Sequence, residues 1–345
     1  MRWAALLLVA GCSHVRPVAA PVQRVCIDGK RFVTCQSREP LVIHGFNYDH
    51  DRSFRLIEDY WTDRDTISLD LAELRLMRAN TVRLHLQFGR FMRSADQPDE
   101  HALAWLDWFL RQAELQRLHV LITGLGSYRP QDAPAWYDAL DDAGRWQAQA
   151  RFWEAVASRA AASAATFGYD LMNEPVVPGE PQPGWAHEAQ LDGLHFIQFI
   201  TRDRAGRAPG AIVHEWASLL SAAIRRADPH ALITIGLLPA YRGFELGDVA
   251  PLLDFESVHL YPRSGHFDEA AGVISAASGA WPVLVEESAP IDCSVAELAQ
   301  FMTDHDPEVA GWLGFYWGEP VVELESSNEP KNRLLAEWLK VFGRR

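Results

Sequence analysis

FGYDLMNEPVV occupies residues 167–177. Its apolar, strand-forming run ends on Asn173-Glu174-Pro175, and a proline cannot continue a central strand because it has no N–H for the ladder. A carboxylate placed where a buried strand gives way to a loop is costly unless it is paired or put to use. If this stretch is a strand that delivers Glu174 to a loop end, its neighbours should be further strands that deliver partners to the same place.

The flanking sequence meets that condition. Apolar runs at 41–46, 81–88, 120–123, 167–172, 232–237, 257–260, 282–285 and 311–317 predict eight strands. Between them, Ile67/Leu71/Leu74, Leu103/Leu106/Leu110 and Phe152/Val156/Ala160 recur at helical spacing, and helices are predicted over 212–227, 267–276, 295–303 and 332–341. Strands that alternate with helices pair in parallel, and eight such units close into a (β/α)8 TIM barrel. This predicts one domain over residues 25–345. The weakest unit surrounds the fifth strand, where the polar, Pro- and Gly-rich stretch 175–211 hangs from the carboxyl end of the fourth. A loop that long is usually functional or disordered.

The chain has 345 residues, 48% of them hydrophobic and 23% charged, enough to bury a substantial core. A net charge of -14 and a pI near 5.4 argue against nucleic acid or an anionic membrane surface as the main partner. The 13 Trp residues offer apolar faces on which sugars stack, although most Trp residues simply fill cores. At the amino terminus, one Arg and an apolar run lead into Val9-Ala10-Gly11-Cys12. The run is too short to span a bilayer but suits an export signal. It resembles a bacterial lipobox, which predicts a signal peptide over 1–11, lipidation of Cys12 and a tether over 12–24. The alternative is a buried N-terminal helix with an incidental cysteine. On the first reading the protein is exported and lipid-anchored to a bacterial membrane, which it meets only through Cys12.

An exported chain can pair Cys26 with Cys35. Asp28-Gly29 between them reads as a tight turn, however, which sets Cys26 opposite Arg31. Cys35 then lies roughly 13 Å further along, beyond the reach of a disulfide. On this register the bridge requires a wider turn.

The chemistry follows from alternation. In TVRLHLQF (81–88), Val82, Leu84, Leu86 and Phe88 should face the helices, which sends Arg83 and His85 into the barrel. In ESVHLYP (256–262), His259 and Tyr261 share a face. Glu174 closes the fourth strand, and the seventh ends on Glu286-Glu287. Carboxylates at the carboxyl ends of different strands converge on one site. Two Glu with an Arg, a His and a Tyr suit glycoside hydrolysis. The His residues lack zinc spacing, and neither a phosphate-binding loop nor a Gly-x-Ser-x-Gly elbow is present, so no cofactor or metal is expected.

The order and spacing of GFN (45–47), NTVRLHL (80–86), DLMNEP (170–175), VHLYP (258–262), PVLVEES (282–288) and Trp317 resemble clan-A glycoside hydrolases, most closely glycoside hydrolase family 5, over residues 41–317. The resemblance implies a retaining enzyme of β-glucosides or β-mannosides acting on an oligo- or polysaccharide as a monomer. It implies Glu174 as acid/base and Glu287 as nucleophile, with Glu286 on the opposite side of the strand. Asn173 would bind the sugar 2-hydroxyl, and Arg83 would hold the nucleophile ionised. His259 and Tyr261 would line the cleavage subsite and Trp317 would be the sugar's floor, with Asn47 and His85 in support. Many members carry a His at the end of the third strand, where this chain reads VLITGLGSYRP (120–130); some mannan-cleaving members lack it too. The long loop with Trp185 and His187 would add a sugar platform or block one end of the cleft. The same residues suit a transglycosylase. A catalytically inactive carbohydrate-binding lipoprotein would be expected to have lost Glu174, Glu287 or Arg83.

Overall fold

The computed structural model describes residues 21–187, 193–240 and 242–345; the signal segment and Cys12 lie outside the described residues. Eight strands form a closed barrel, each paired in parallel with its neighbours: β1 (Ile43–Tyr48), β2 (Thr81–Gln87), β3 (His119–Gly126), β4 (Thr166–Asn173), β5 (Ile233–Leu237), β6 (Glu256–His259), β7 (Val283–Ser288) and β8 (Gly311–Gly314). All eight predicted strands are present, with ends shifted by a few residues.

Helices α1 (Arg64–Leu76), α2 (Glu100–Gln116), α3 (Asp142–Ala160) and α4 (Pro209–Ala227) follow the first four strands. Between β5 and β6 the described residues make only two short 3-10 turns, Leu246–Asp248 and Ala250–Leu252. Helices α5 (Phe267–Ala277), α6 (Val295–His305) and α7 (Pro330–Phe342) complete the ring. Several begin where the sequence supplies a cap, since a side-chain oxygen satisfies backbone N–H groups that the first turn leaves unpaired. Asp63 accepts from Thr66, Asp99 from His101 and Ala102, and Ser294 from Glu297.

Two apolar layers hold the barrel. The outer one lies between strands and helices and contains Val82, Leu84, Leu86 and Phe88 with Ile67, Leu71, Leu106, Phe152 and Trp216. The inner one fills the amino-terminal end of the barrel with Ile43, Leu121, Phe167, Leu284 and Leu313. An antiparallel hairpin, Val25–Asp28 with Arg31–Thr34, plugs this end. It inserts Phe32, whose ring meets those of Phe167 and Phe255 edge-on at 4.9 and 5.2 Å.

The hairpin corrects the expected cysteine geometry. Its turn is centred on Gly29-Lys30, with Asp28 opposite Arg31 and Cys26 opposite Val33. Cys35 therefore lies two residues beyond the partner of Cys26. The chain also bends after Thr34, where Arg38 N–H returns to the Thr34 carbonyl. The Cα atoms of Cys26 and Cys35 come within 5.0 Å and the disulfide forms.

Phe32→Ala should leave a cavity in the plug and lower stability by about 3–5 kcal/mol. The check is a fall in the denaturant midpoint at unchanged slope.

Candidate active site

Arg83 enters the barrel interior from β2 with no solvent exposure. A guanidinium there needs compensating partners, and three other strands provide them. Its Nη2 donates to Asp170 Oδ2 at 2.6 Å and to Asn173 Oδ1 at 2.9 Å, both on β4. Its Nη1 donates to Asn47 Oδ1 on β1 at 2.9 Å and to Glu287 Oε1 on β7 at 2.5 Å. Nε stands 3.5 Å from Glu286 Oε1. Asp170 also accepts from Thr123 Oγ1 and from the Gly236 N–H, each at 2.8 Å, so it is a fixed counter-ion to Arg83.

Glu287 is held from both sides, since Tyr261 donates its hydroxyl to Oε2 at 2.5 Å. Burial pushes the Glu287 carboxyl above the ordinary value of 4.5, against the pull of His259 and Arg83. Glu174 closes β4 with φ +45°, a left-handed conformation that costs a non-glycine residue about 1–3 kcal/mol and clusters at functional sites. Its Oε1 lies 2.7 Å from His259 Nδ1. Burial disfavours the charged imidazole, but the carboxylates of Glu287, Glu174 and Glu286 outweigh it and raise His259 to about 10. His259 is thus an imidazolium that donates to Glu174. One ligand atom each of Glu174, His259 and Glu287 lie within 4.8 Å of one another. Arg83 already places a positive charge beside this trio, in contact with Glu287.

His85 accepts from the Tyr128 hydroxyl at Nδ1, 2.5 Å, and reaches Asn47 Oδ1 from Nε2 at 3.2 Å. Burial, then Arg83, holds it well below its usual range and so neutral. Asn47 donates to the backbone carbonyls of Glu286 and Gly314, tying β1 to β7 and β8.

Two expectations are corrected. Glu286 does not lie on the opposite side of β7 from Glu287. A bulge sets Val285 opposite Val258 but Glu287 opposite His259, and the register with β8 slips at the same place. The extra residue lets two successive carboxylates face inward. Glu286 has no solvent exposure and stands 3.5 Å from His259 Nε2. Burial raises its carboxyl too. The close fit explains Gly236 on β5: a Cβ there would come within 2.7 Å of Arg83 Nη2 and Glu286 Oε2 and 2.8 Å of His259 Nε2. The second correction concerns Trp317, which is 1% exposed and packs in the outer core. The β8 aromatic facing Tyr261 is Phe315, at right angles with ring centroids 6.3 Å apart.

The structure therefore brings together Glu174, Glu287, Arg83, Asn173, His259, Tyr261, Asn47 and His85, and sets Trp317 apart. Trp185 is also no platform: the guanidinium carbons of Arg145 and Arg202 lie 4.0 and 4.9 Å from its ring centroid. His187 packs against Phe199. Among the residues the sequence reading missed, Asp170 was within reach, because it alternates with Tyr169 and Leu171 of the outer layer. Phe315 carried no comparable signal.

No protein-family model matches the sequence, and no curated protein does. Solved structures do match in three dimensions. A β-mannanase from the blue mussel Mytilus edulis superposes with a TM-score of 0.64 at 15% identity, covering 94% of this chain and 97% of that one. An exo-β-1,4-mannosidase from an Opitutaceae bacterium gives 0.65 at 17%, over 92% and 62%. The catalytic domain of a Thermobifida fusca endoglucanase gives 0.59 at 16%, over 93% and 97%. The likeness is one of fold. At this identity the barrel is shared, and the activity has to be argued from the site.

A group whose folded pKa is raised contributes stability that is complete below its unfolded pKa and vanishes as pH rises through its folded one. His259 should therefore stabilise the fold most below pH 6.5 and lose that contribution toward pH 10. Comparison with His259→Gln by denaturant unfolding should give a stability gap that narrows over this range; a gap independent of pH would refute the charged imidazole.

Proposed function

We propose that the protein is a retaining glycoside hydrolase of β-glucosides or β-mannosides. The observation that carries this reading is the pair Glu174 and Glu287, facing each other across the barrel mouth with carboxylate oxygens within 4.8 Å. Carboxyl groups this close suit double displacement, whereas inversion needs a wider gap to admit water. Glu287, oriented by Arg83 and Tyr261, attacks the anomeric carbon through one carboxylate oxygen. As that bond forms, the glycosidic C–O bond breaks and Glu174, which accepts from His259 at Oε1 and carries a proton on Oε2 in the substrate complex, gives that proton to the departing oxygen. Glu174, now a carboxylate, takes a proton from water, whose oxygen attacks the same carbon and releases Glu287. Two inversions leave the configuration unchanged. Phe315, beside Tyr261, takes the sugar-facing place that the sequence suggested for Trp317.

The site retains Glu174, Glu287 and Arg83 together and in contact with their partners, which disfavours an inactive binding protein. Glu174→Ala should slow turnover of an aryl β-glycoside about 10²–10⁴-fold, the usual worth of general acid–base catalysis. Glu287→Gly should be inactive and regain activity with azide, giving a glycosyl azide of inverted configuration. Azide without effect on an inactive Glu287→Gly would count against the nucleophile. Because burial raises the Glu287 carboxyl and a protonated nucleophile cannot attack, the acid limb of kcat/KM should lie above pH 4.5.

The reading extends to location: an exported enzyme anchored by a lipid on Cys12. The Cys26–Cys35 disulfide, just after the tether, suits an oxidising compartment outside the cytosol. Labelled palmitate should enter the wild-type protein in a bacterial host and be absent from Cys12→Ala; equal labelling of both would remove the anchor.

A further inference from the structure

Glu174 and Glu287 are only 7% and 4% exposed, at the bottom of a mouth narrowed by surrounding loops. An aromatic cluster from four loops gathers at this end of the barrel. His50 follows β1, Phe196 lies in the loop after β4, and Phe315 follows β8. His50 stands 5.8 Å from Phe196 and 5.9 Å from Phe315, and Phe196 lies 6.1 Å from Phe315. On its other side Phe196 meets Tyr128, which follows β3, at 4.7 Å. Leu56, Tyr128 and Leu194 are buried beneath the assembly.

The Phe196 segment is fastened at several points. His195 N–H donates to the Tyr128 carbonyl at 2.7 Å. Gln198–Phe199 pairs in parallel with Pro175–Val176, directly after the acid/base. The Phe196 carbonyl accepts from Asn173 Nδ2 at 3.0 Å, so the loop contacts the side chain next to Glu174 itself. Phe315 and Tyr261 stand on the Glu287 side of the carboxyl pair and Asn173 next to Glu174, so a sugar bonded to Glu287 would have its retained ring beside these side chains while its leaving group takes the proton of Glu174. Phe196 touches two of these neighbours, Asn173 at 3.0 Å and Phe315 at 6.1 Å between ring centroids, and His50 stands 5.9 Å from Phe315.

We propose that Phe196 and His50 form a wall that ends the cleft one sugar residue beyond the cleavage point. The enzyme would then remove single terminal residues from the non-reducing end of β-linked oligosaccharides rather than cut within chains. The inference rests on the retaining-glycosidase reading and adds its substrate class. Discrimination of this kind comes from steric exclusion of the longer ligand rather than from better contacts to the shorter one.

The test uses 2-deoxy-2-fluoro-β-glycosyl fluorides of gluco and manno configuration, as monosaccharides and as β-1,4-linked disaccharides. With each, a Glu287 oxygen bonds to the anomeric carbon as fluoride leaves, and the ester is read by intact-protein mass and peptide mapping. Wild type should be labelled by a monosaccharide reagent at least about 100-fold faster than by its disaccharide counterpart. Phe196→Ala, and independently His50→Ala, should shrink that ratio by about 10-fold or more. Equal labelling of wild type by both sizes would overturn the wall and leave the glycosidase reading standing. Labelling by neither size, together with absence of azide rescue, would overturn the glycosidase reading and the wall with it. The wild-type ratio does not depend on how either variant folds.

Discussion

A single buried cation organises this protein. Arg83 lies at the centre of the barrel, where an unpaired charge would cost several kcal/mol, and is compensated by Asp170, Glu286 and Glu287. Removing one partner of such a group is far more costly than the pair is stabilising, so the network constrains four strands at once. Asp170 fixes β4 relative to β2, Asn47 joins β1 to β7 and β8, and Glu287 is held at the height where it meets Glu174. Gly236 is the steric counterpart on β5, leaving room that any side chain would fill.

Regular strands alone would not build this arrangement. A parallel strand of period two presents every second residue to the interior, yet the site needs neighbouring groups on one face. Bulges near the carboxyl ends of β4 and β7 resolve the conflict by inserting one residue against the neighbouring strand. On β4 the slip falls between Asp170 and Asn173, so both reach Arg83. On β7 it brings Glu286 and Glu287 inward together. Four carboxyl groups thereby surround two cations, Arg83 and His259, and burial raises both β7 carboxyls. The positive φ of Glu174 belongs to the same pattern, with local strain located where a side chain must be aimed.

The mouth of the barrel follows different rules from its interior. The lower end is closed by a hairpin plug of apolar rings, which serves stability. The upper end is narrowed by aromatic residues from loops after β1, β3, β4 and β8, whose mutual packing owes nothing to strand periodicity. Such loops vary freely on a constant barrel, consistent with a fold shared with mannan- and glucan-cleaving enzymes at no more than 17% identity.

The sequence by itself determined the barrel and most of its centre. Alternation in TVRLHLQF and ESVHLYP sent Arg83, His85, His259 and Tyr261 inward, and strand ends located Glu174 and the pair Glu286-Glu287, because period and polarity are local properties; the choice of Glu287 within that pair came from the family resemblance. Only the tertiary structure decided what depends on register between strands or on contacts between distant loops. The hairpin turn lies one residue later than Asp28-Gly29 suggested, and that step together with the bend after Thr34 closes the Cys26–Cys35 bridge. Glu286 faces inward because of a bulge that is visible only against β6 and β8. Trp317 packs in the outer core while Phe315 faces Tyr261, since β8 ends at Gly314 and the direction of the chain beyond it is set by neighbours. His50, Phe196 and Phe315 are far apart in sequence, and only the closing of the barrel brings them together.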